Sequence, residues 1–321
     1  MNNRLKKILL IKTSSLGDVI HALPAVTDLR AASAVARIDW VVEESLVPIV
    51  KLHPGVAEVI PVAMRRWRRA WWRRSVRDEI SARRQRLRSQ TYDAIIDAQG
   101  LLKSALIARA ARGVRHGLDF HSAREPLAPF YHHVYRIPWD VHAVERTRLL
   151  FARAVGYAVP PICDYGIHAS PRRFDWLATG KYAVLLHASS GDYKLWGEQH
   201  WNLLGDALNA AGIACVLPFG SAPEQERSAR IAGKLRSAVV PPALGLDELA
   251  GLLAGARTVV GIDTGLTHLA AALAVPTVGI YNATDPAATG IYGCARAVNL
   301  GGIGGAPTAQ QVITAVEKIV A

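Results

Sequence analysis

Residues 8–24 read I-L-L-I-K-T-S-S-L-G-D-V-I-H-A-L-P, and A-V-T-D-L-R-A-A follows. The apolar run 8–11 has the length and composition of a buried strand. Residues 19–32 carry a helical pattern, which Pro24 is expected to bend. A strand passing through a polar loop into a helix is the first half of a βαβ unit. A dinucleotide-binding loop would show G-x-G-x-x-G, whereas this one holds Gly17 alone. It offers Thr13, Ser14, Ser15 and Asp18 instead. Asp18 reads either as a helix cap or as a carboxylate placed to take a proton.

The same alternation continues outward. Residues 38–42, 56–62 and 94–98 read as strands, and 101–112 as a helix after D-A-Q-G. The pattern weakens over 113–140, which is rich in His, Pro and aromatic residues. A helix is expected over 141–156, and Y-A-V-P-P-I-C-D-Y-G after it reads as a linker. A second series then begins. Strands are expected at 183–187, 214–218, 258–262 and 276–281, with helices at 201–211, 223–235, 246–255 and 266–274. The fold class implied is α/β with two Rossmann-like domains, 1–165 and 166–321. Their parallel sheets are expected to face a central cleft, with ligands beyond the carboxyl ends of the strands.

Composition narrows the function classes. Of 321 residues, 50% are hydrophobic and 20% charged, which supports large cores and excludes global disorder. No apolar run reaches the roughly 20 residues of a membrane-spanning helix. The N-terminus is basic, but its apolar run is short and broken by Lys12, so a cytosolic protein without a signal peptide is expected. Cys163, Cys215 and Cys294 are too scattered for a disulfide framework or a zinc site. The formal net charge is +12, and residues 65–88 hold eleven arginines against Asp78 and Glu79. Such a patch suits an anionic partner: nucleic acid, an acidic lipid surface, or a phosphorylated or carboxylated substrate.

Three loops of the second half also sit after expected strands. In V-V-G-I-D-T-G-L-T-H-L, Asp263, Thr264 and Gly265 open a helix and His268 lies one turn in. The first-turn amides and the dipole can hold a phosphate there; a plain helix cap is the alternative. In A-S-S-G-D-Y-K-L-W, Ser189, Ser190 and Lys194 can meet a diphosphate, or form a surface turn. Glu224 can accept from ribose hydroxyls or complement a helix dipole.

Several stretches together resemble a known family. They are K-T-S-S-L-G-D-V-I-H, D-W-V-V-E-E, I-P-V-A-M-R-R-W-R-R-A-W, Y-D-A-I-I-D-A-Q-G-L-L-K-S-A, S-A-R-E-P-L-A, H-A-V-E-R-T-R and I-D-T-G-L-T-H-L. They are similar to the lipopolysaccharide heptosyltransferases of glycosyltransferase family 9, inverting enzymes of the GT-B fold. The arginine–tryptophan and A-R-E-P-L-A stretches resemble the branch that adds the first heptose. A second heptosyltransferase, adding the next heptose, is the nearest alternative; an arginine-rich nucleic-acid-binding protein is the alternative of a different class.

The resemblance implies transfer of L-glycero-D-manno-heptose from ADP-heptose to a Kdo residue of Kdo2–lipid A. It implies a peripheral monomer at the cytoplasmic face of the inner membrane, without cofactor, metal or nucleic acid. Asp18 would be the base, with the acceptor on the first domain and the donor on the second. Ser14, Ser15, Gly17, Arg65, Arg66, Arg68, Arg69, Arg124 and His142 would meet the acceptor. Ser189, Ser190, Lys194, Glu224, Leu244, Asp263, Thr264, Gly265 and His268 would meet the donor. Ser189-Ser190 stand where the family commonly has Thr-Thr, and Gly191 and Tyr193 replace more polar residues. Trp71 and Trp72 are placed to touch acyl chains or a membrane surface.

Overall fold

A computed structural model describes residues 6–34, 36–189 and 191–320; Ser190, an expected donor contact, and residues 1–5 lie outside them. The chain divides into two compact units between Ile167 and His168.

The first unit is built on strands β1 (Lys7–Ile11), β2 (Arg37–Glu43), β3 (Val56–Val62), β4 (Thr91–Asp97), β5 (Arg112–Leu118) and β6 (His133–Tyr135). They pair in the order β3-β2-β1-β4-β5-β6, all parallel. Its helices are α1 (Leu16–Ile20), α2 (Leu23–Ala32), α3 (Val47–Val50), α4 (Met64–Ala70), α5 (Arg74–Arg88), α6 (Leu102–Ala110) and α7 (Ala143–Val155). This is a doubly wound sheet, and its strand order reverses between β1 and β4.

The single helix expected over 19–32 is instead two, α1 and α2, and Pro24 lies in the first turn of α2 rather than at a bend. Proline lacks the N–H that an interior helical position must donate, so the chain restarts the helix just ahead of it. The indistinct region 113–140 holds two strands, β5 and β6. Gly113 and Gly117 hid β5. A Cβ at Gly117 would lie 2.4 Å from the Tyr131 ring, so glycine there makes room for an aromatic packed on the strand.

On one sheet face, Trp67 of α4, Val76 and Leu87 of α5 and Ile107 of α6 pack on Leu9, Ile11, Val41 and Ile95. These anchors leave most arginines of α4 and α5 in solvent. On the other face a buried pair ties α7 to α2. Arg148 donates to Asp28 through Nε at 2.7 Å and Nη2 at 3.1 Å. The same guanidinium reaches Glu145 and the Pro160 and Ile162 carbonyls, which fixes the segment after α7.

The second unit repeats the plan. Its strands are β7 (Tyr182–Leu186), β8 (Ala214–Val216), β9 (Ala238–Val239), β10 (Thr258–Ile262), β11 (Thr277–Tyr281) and β12 (Ala297–Gly301). They form a parallel sheet in the order β12-β11-β10-β7-β8-β9. Its helices are α8 (Glu198–Ala210), α9 (Ala222–Ala232), α10 (Leu246–Ala254), α11 (Gly265–Ala272), α12 (Pro286–Thr289) and α13 (Ala309–Val320). Strand order reverses between β7 and β10. The sequence reading ended at β11 and missed β9, β12 and α13. Strand β9 has two residues, too few to show a period. Trp196, Trp201, Leu204 and Val312 fill the core beneath β7, β8 and β10.

Candidate active site

Each unit gathers its polar loops at its own switch point. In the first unit the loop after β1 meets the loop after β4. The Gln99 side-chain oxygen accepts from Thr13 N at 2.9 Å and Ser14 N at 3.1 Å. Lys12 Nζ donates to the Ala98 carbonyl at 3.0 Å. Below them Asp97 is fully buried and accepts from Tyr131 Oη at 2.8 Å and from the Gln99 and Gly100 amides. Burial pushes the Asp97 carboxyl above its usual range, so its part is structural bracing.

Asp18 stands on α1 above this frame. Its Oδ2 accepts from Ser15 N at 3.0 Å and Ser15 Oγ at 2.9 Å, and Lys12 Nζ lies 3.3 Å from Oδ1. Asp18 is thus the third-position partner of the N-cap residue Ser15 in a capping box, a role compatible with proton transfer. Burial alone would raise its pKa. The Lys12 ammonium, the Ser15 hydrogen bonds and His21 outweigh that and lower it to about 2. Its side chain remains 35% exposed, so an ionised carboxylate is presented at the strand end.

His142, expected at the acceptor, caps α7 by accepting from Val144 N at 3.2 Å. Its ring packs edge-on against His21, with centroids 5.8 Å apart. His21 was not singled out from the sequence. It lies three residues after Asp18, the spacing at which helical neighbours meet. Lys103 is another addition, its Nζ donating to Ser14 Oγ at 3.2 Å.

The motif carboxylates seat the arginines. Glu43 accepts from the Met64 and Arg65 amides at the start of α4, where the helix dipole favours a negative charge. Glu125 does the same for α6, accepting from Leu102 N, and leaves Arg124 exposed beside it. The sequence grouped Arg66 with the acceptor cations. The structure commits its guanidinium to Glu44 and Glu79, at 3.1 and 2.9 Å, so Arg66 braces α4 against its neighbours. Arg65, Arg68 and Arg69 are exposed and make no salt bridge among the described residues. Of the tryptophans, Trp67 is in the core, while Trp71 and Trp72 are 63% and 58% exposed.

In the second unit the loops after β7 and β10 converge on Asp263. Lys194 Nζ lies 2.6 Å from Asp263 Oδ2, Thr284 Oγ1 donates to the same oxygen at 2.9 Å, and His268 Nε2 lies 3.6 Å from Oδ1. Ser189 Oγ reaches the Asp263 carbonyl at 3.4 Å. Burial opposes ionisation of Asp263, but His268, Lys194 and Thr284 outweigh it and hold the carboxyl far below its usual range. Thr264 occupies the cap position of α11 without a side-chain cap hydrogen bond, and Gly265 begins the helix. The hydroxyl and the first-turn amides thus point to a place for an anion.

Thr284 and Asn282 belong to the loop after β11, which the sequence reading passed over. Asn282 Nδ2 donates to the Leu195 carbonyl at 3.0 Å and holds the lysine loop in place. The available signal was a polar N-A-T-D-P turn after a strand, with Asp285 capping the short α12. Glu224 accepts from Gly220 N at 2.6 Å, which shapes the loop after β8. Leu244 is half-buried just before α10.

The chain matches glycosyltransferase family 9 (heptosyltransferase) over residues 80–318. It is 47% identical over 292 residues to lipopolysaccharide heptosyltransferase 1 of Escherichia coli (strain K12), covering 89% of this chain and 91% of that protein. The structure of E. coli heptosyltransferase WaaC with ADP has a TM-score of 0.89 at 43% identity and covers 98% of this chain and 99% of its own. WaaC with ADP-2-deoxy-2-fluoro heptose gives 0.85 at 42% identity, covering 97% and 99%.

The class is therefore a GT-B glycosyltransferase, as the motifs implied. The chain belongs to glycosyltransferase family 9, the heptosyltransferases.

Proposed function

We propose that the protein moves L-glycero-D-manno-heptose from ADP-heptose to a Kdo residue of Kdo2–lipid A, with inversion. The observation that carries this reading is the pair of polar constellations, one at each switch point. The first presents an ionised carboxylate, as a base requires. The second offers the Lys194 ammonium and helix amides, as a leaving diphosphate requires.

In this reading the acceptor hydroxyl gives its proton to Asp18 as its oxygen attacks the anomeric carbon. The C–O bond to ADP breaks on the opposite side through an oxocarbenium-like transition state. Ser14, Ser15, Gly17 and His142 surround the acceptor sugar. Arg65, Arg68, Arg69 and Arg124 meet its carboxylates and phosphates, for which guanidinium forks suit both groups. Lys194, Thr264 and Gly265 offset the growing charge on the diphosphate, with Ser189, Ser190 and His268 beside them. Asp263 holds Lys194 and contacts the heptose, Glu224 accepts from the ribose, and Leu244 flanks the adenine. The first unit thus takes the acceptor and the second the donor. No helix among the described residues is long and apolar enough to cross a membrane. The exposed Trp71 and Trp72 and the arginine run support peripheral attachment at the cytoplasmic face of the inner membrane.

The test supplies ADP-heptose with either Kdo2–lipid A or its heptosylated product and measures ADP release. Release with the first acceptor is expected. Release with the second alone would move the assignment to the next step of the core.

A further inference from the structure

The first unit carries a feature that the transfer reaction does not use in full. A groove of about 1100 Å³ lies between α4, α5 and α6. That is at or above the upper end of about 300–1,000 Å³ usual for small-ligand sites. Its floor and walls include Trp67, Trp71, Ile80, Leu87, Leu106 and Ile107. Trp71, Ile80 and Leu106 are 63%, 37% and 54% exposed, so this apolar surface faces water. Large exposed apolar patches rimmed by polar residues mark interaction surfaces.

The rim is cationic and has no acid. Arg65, Arg68, Arg83, Arg84, Arg88 and Arg109 line it, together with Lys103. None of these six arginines makes a salt bridge among the described residues. The arginines of the run that do, Arg66, Arg74 and Arg86, all lie off the groove. Arg83 Nε is shielded from solvent and has no hydrogen-bond partner. An unsatisfied, desolvated guanidinium nitrogen calls for an anionic oxygen.

The groove also runs away from the reacting loop. Lys103, which touches Ser14, is near the top of α6, and Arg109 is near its lower end. Six residues of helix separate them by about 9 Å. Arg88 Nε donates to the Ala110 carbonyl, which marks the same lower end. A sugar at Ser14 and Asp18 reaches only the Lys103 end, and Arg84, Arg88 and Arg109 toward the other end are not among the acceptor contacts proposed above.

We infer that this groove binds a phospholipid of the bilayer, with an acyl chain over Trp71, Ile80 and Leu106 and an anionic headgroup phosphate on the arginine rim. Cations alone would give only adhesion to an acidic surface. The apolar floor between them supplies the second of the two signals that stable peripheral anchoring needs. The inference rests on the peripheral attachment proposed above and deepens it by naming a bilayer phospholipid as the ligand of this groove; it does not depend on which acceptor is used.

The test is flotation of the full-length protein with vesicles free of any acceptor lipid, at physiological salt. One set contains phosphatidylglycerol in phosphatidylcholine and the other phosphatidylcholine alone. Wild type is expected to float with the first set only. Leu106→Ser, and the double variant Arg84→Glu with Arg109→Glu, should each lose about tenfold or more in partitioning. All three positions are exposed, and the melting curve and ADP-heptose affinity should match wild type. Mid-chain brominated lipid should quench tryptophan fluorescence in wild type and less in Trp71→Leu. Wild-type partitioning of Leu106→Ser without bromine quenching would overturn the groove and leave surface adhesion. Flotation only when the acceptor lipid is added would assign the groove to the acceptor and overturn the inference. Loss of single-stranded RNA binding in the charge variant, with vesicle partitioning unchanged, would make it a nucleic-acid site.

Discussion

Replacing Asp18 by asparagine separates its two roles, because the amide keeps the shape and one acceptor oxygen but loses the charge. The cap is only partly disturbed, since the amide oxygen can still accept from Ser15 N and Ser15 Oγ. Lys12 loses its counter-ion but keeps the Ala98 carbonyl. Moving a carboxyl pKa from 3.8 to about 2 corresponds to about 2.4 kcal/mol by linkage. The side chain is 35% exposed, so screening reduces this to about 1 kcal/mol. That lowers Tm by about 2–4 °C for a unit of this size, and the variant stays folded at assay temperature.

The sign of the pH effect follows from the direction of the shift. A carboxyl held below its unfolded pKa stabilises above that pKa and stops doing so once protonated in the folded state. The stability gap between wild type and Asp18→Asn should be full above about pH 4 and close as pH falls to about 2. Turnover behaves differently. Loss of a general base removes about 10²–10⁴ in rate, or about 2.7–5.4 kcal/mol, with ADP-heptose affinity retained. ADP release under saturating substrates measures the first, and titration with the donor measures the second. Ser15→Ala is the contrast: it weakens the cap, keeps the carboxylate, and should lose only a few-fold. Asp18→Asn turnover within about tenfold of wild type at unchanged folding would refute Asp18 as the base.

Further consequences follow from other contacts. Lys194→Met should lower turnover by about 10²–10³, as does removal of a donor aimed at developing charge; a loss below fivefold would count against contact with the leaving diphosphate. Thr284→Val removes a hydrogen bond to the ionised Asp263, worth about 1.5–3 kcal/mol, so kcat/KM should drop tenfold or more in steady-state assays. Arg148→Met leaves the Asp28 carboxyl unpaired in the interior, where burial already pushes its pKa above the usual range. Urea unfolding should show a loss of about 3–5 kcal/mol, with normal turnover per folded molecule.

Much of the fold was legible because strands buried on both faces read as continuous apolar runs. Residues 8–11 and 258–262 announced themselves in this way. Strands β5 and β6 did not, because glycine and histidine in them answer to neighbours such as Tyr131 and Tyr135. The candidate site was legible where a single loop holds its parts, as in Lys12 to Asp18 or Asp263 to His268. It was not legible where partners come from distant loops, as with Thr284 on Asp263 or Lys103 on Ser14.

The arginine run shows the same division. Its density alone favoured an anionic partner, since charge is additive along a chain. Which arginines remain available depended on whether Glu44, Glu79 and Glu58 stand within reach, and folding decides that. For the opening loop, the missing glycines by themselves argued against dinucleotide binding at the first strand. They left Asp18 evenly open between cap and base. The folded loop turned Lys12 and Ser15 toward it and left it an ionised capping-box carboxylate with a third of its side chain exposed. A carboxylate's charge state is a property of its surroundings: Lys12, Ser15 and His21 are near Asp18 in sequence, but Lys12 is anchored on the Ala98 carbonyl only when β1 and β4 lie side by side.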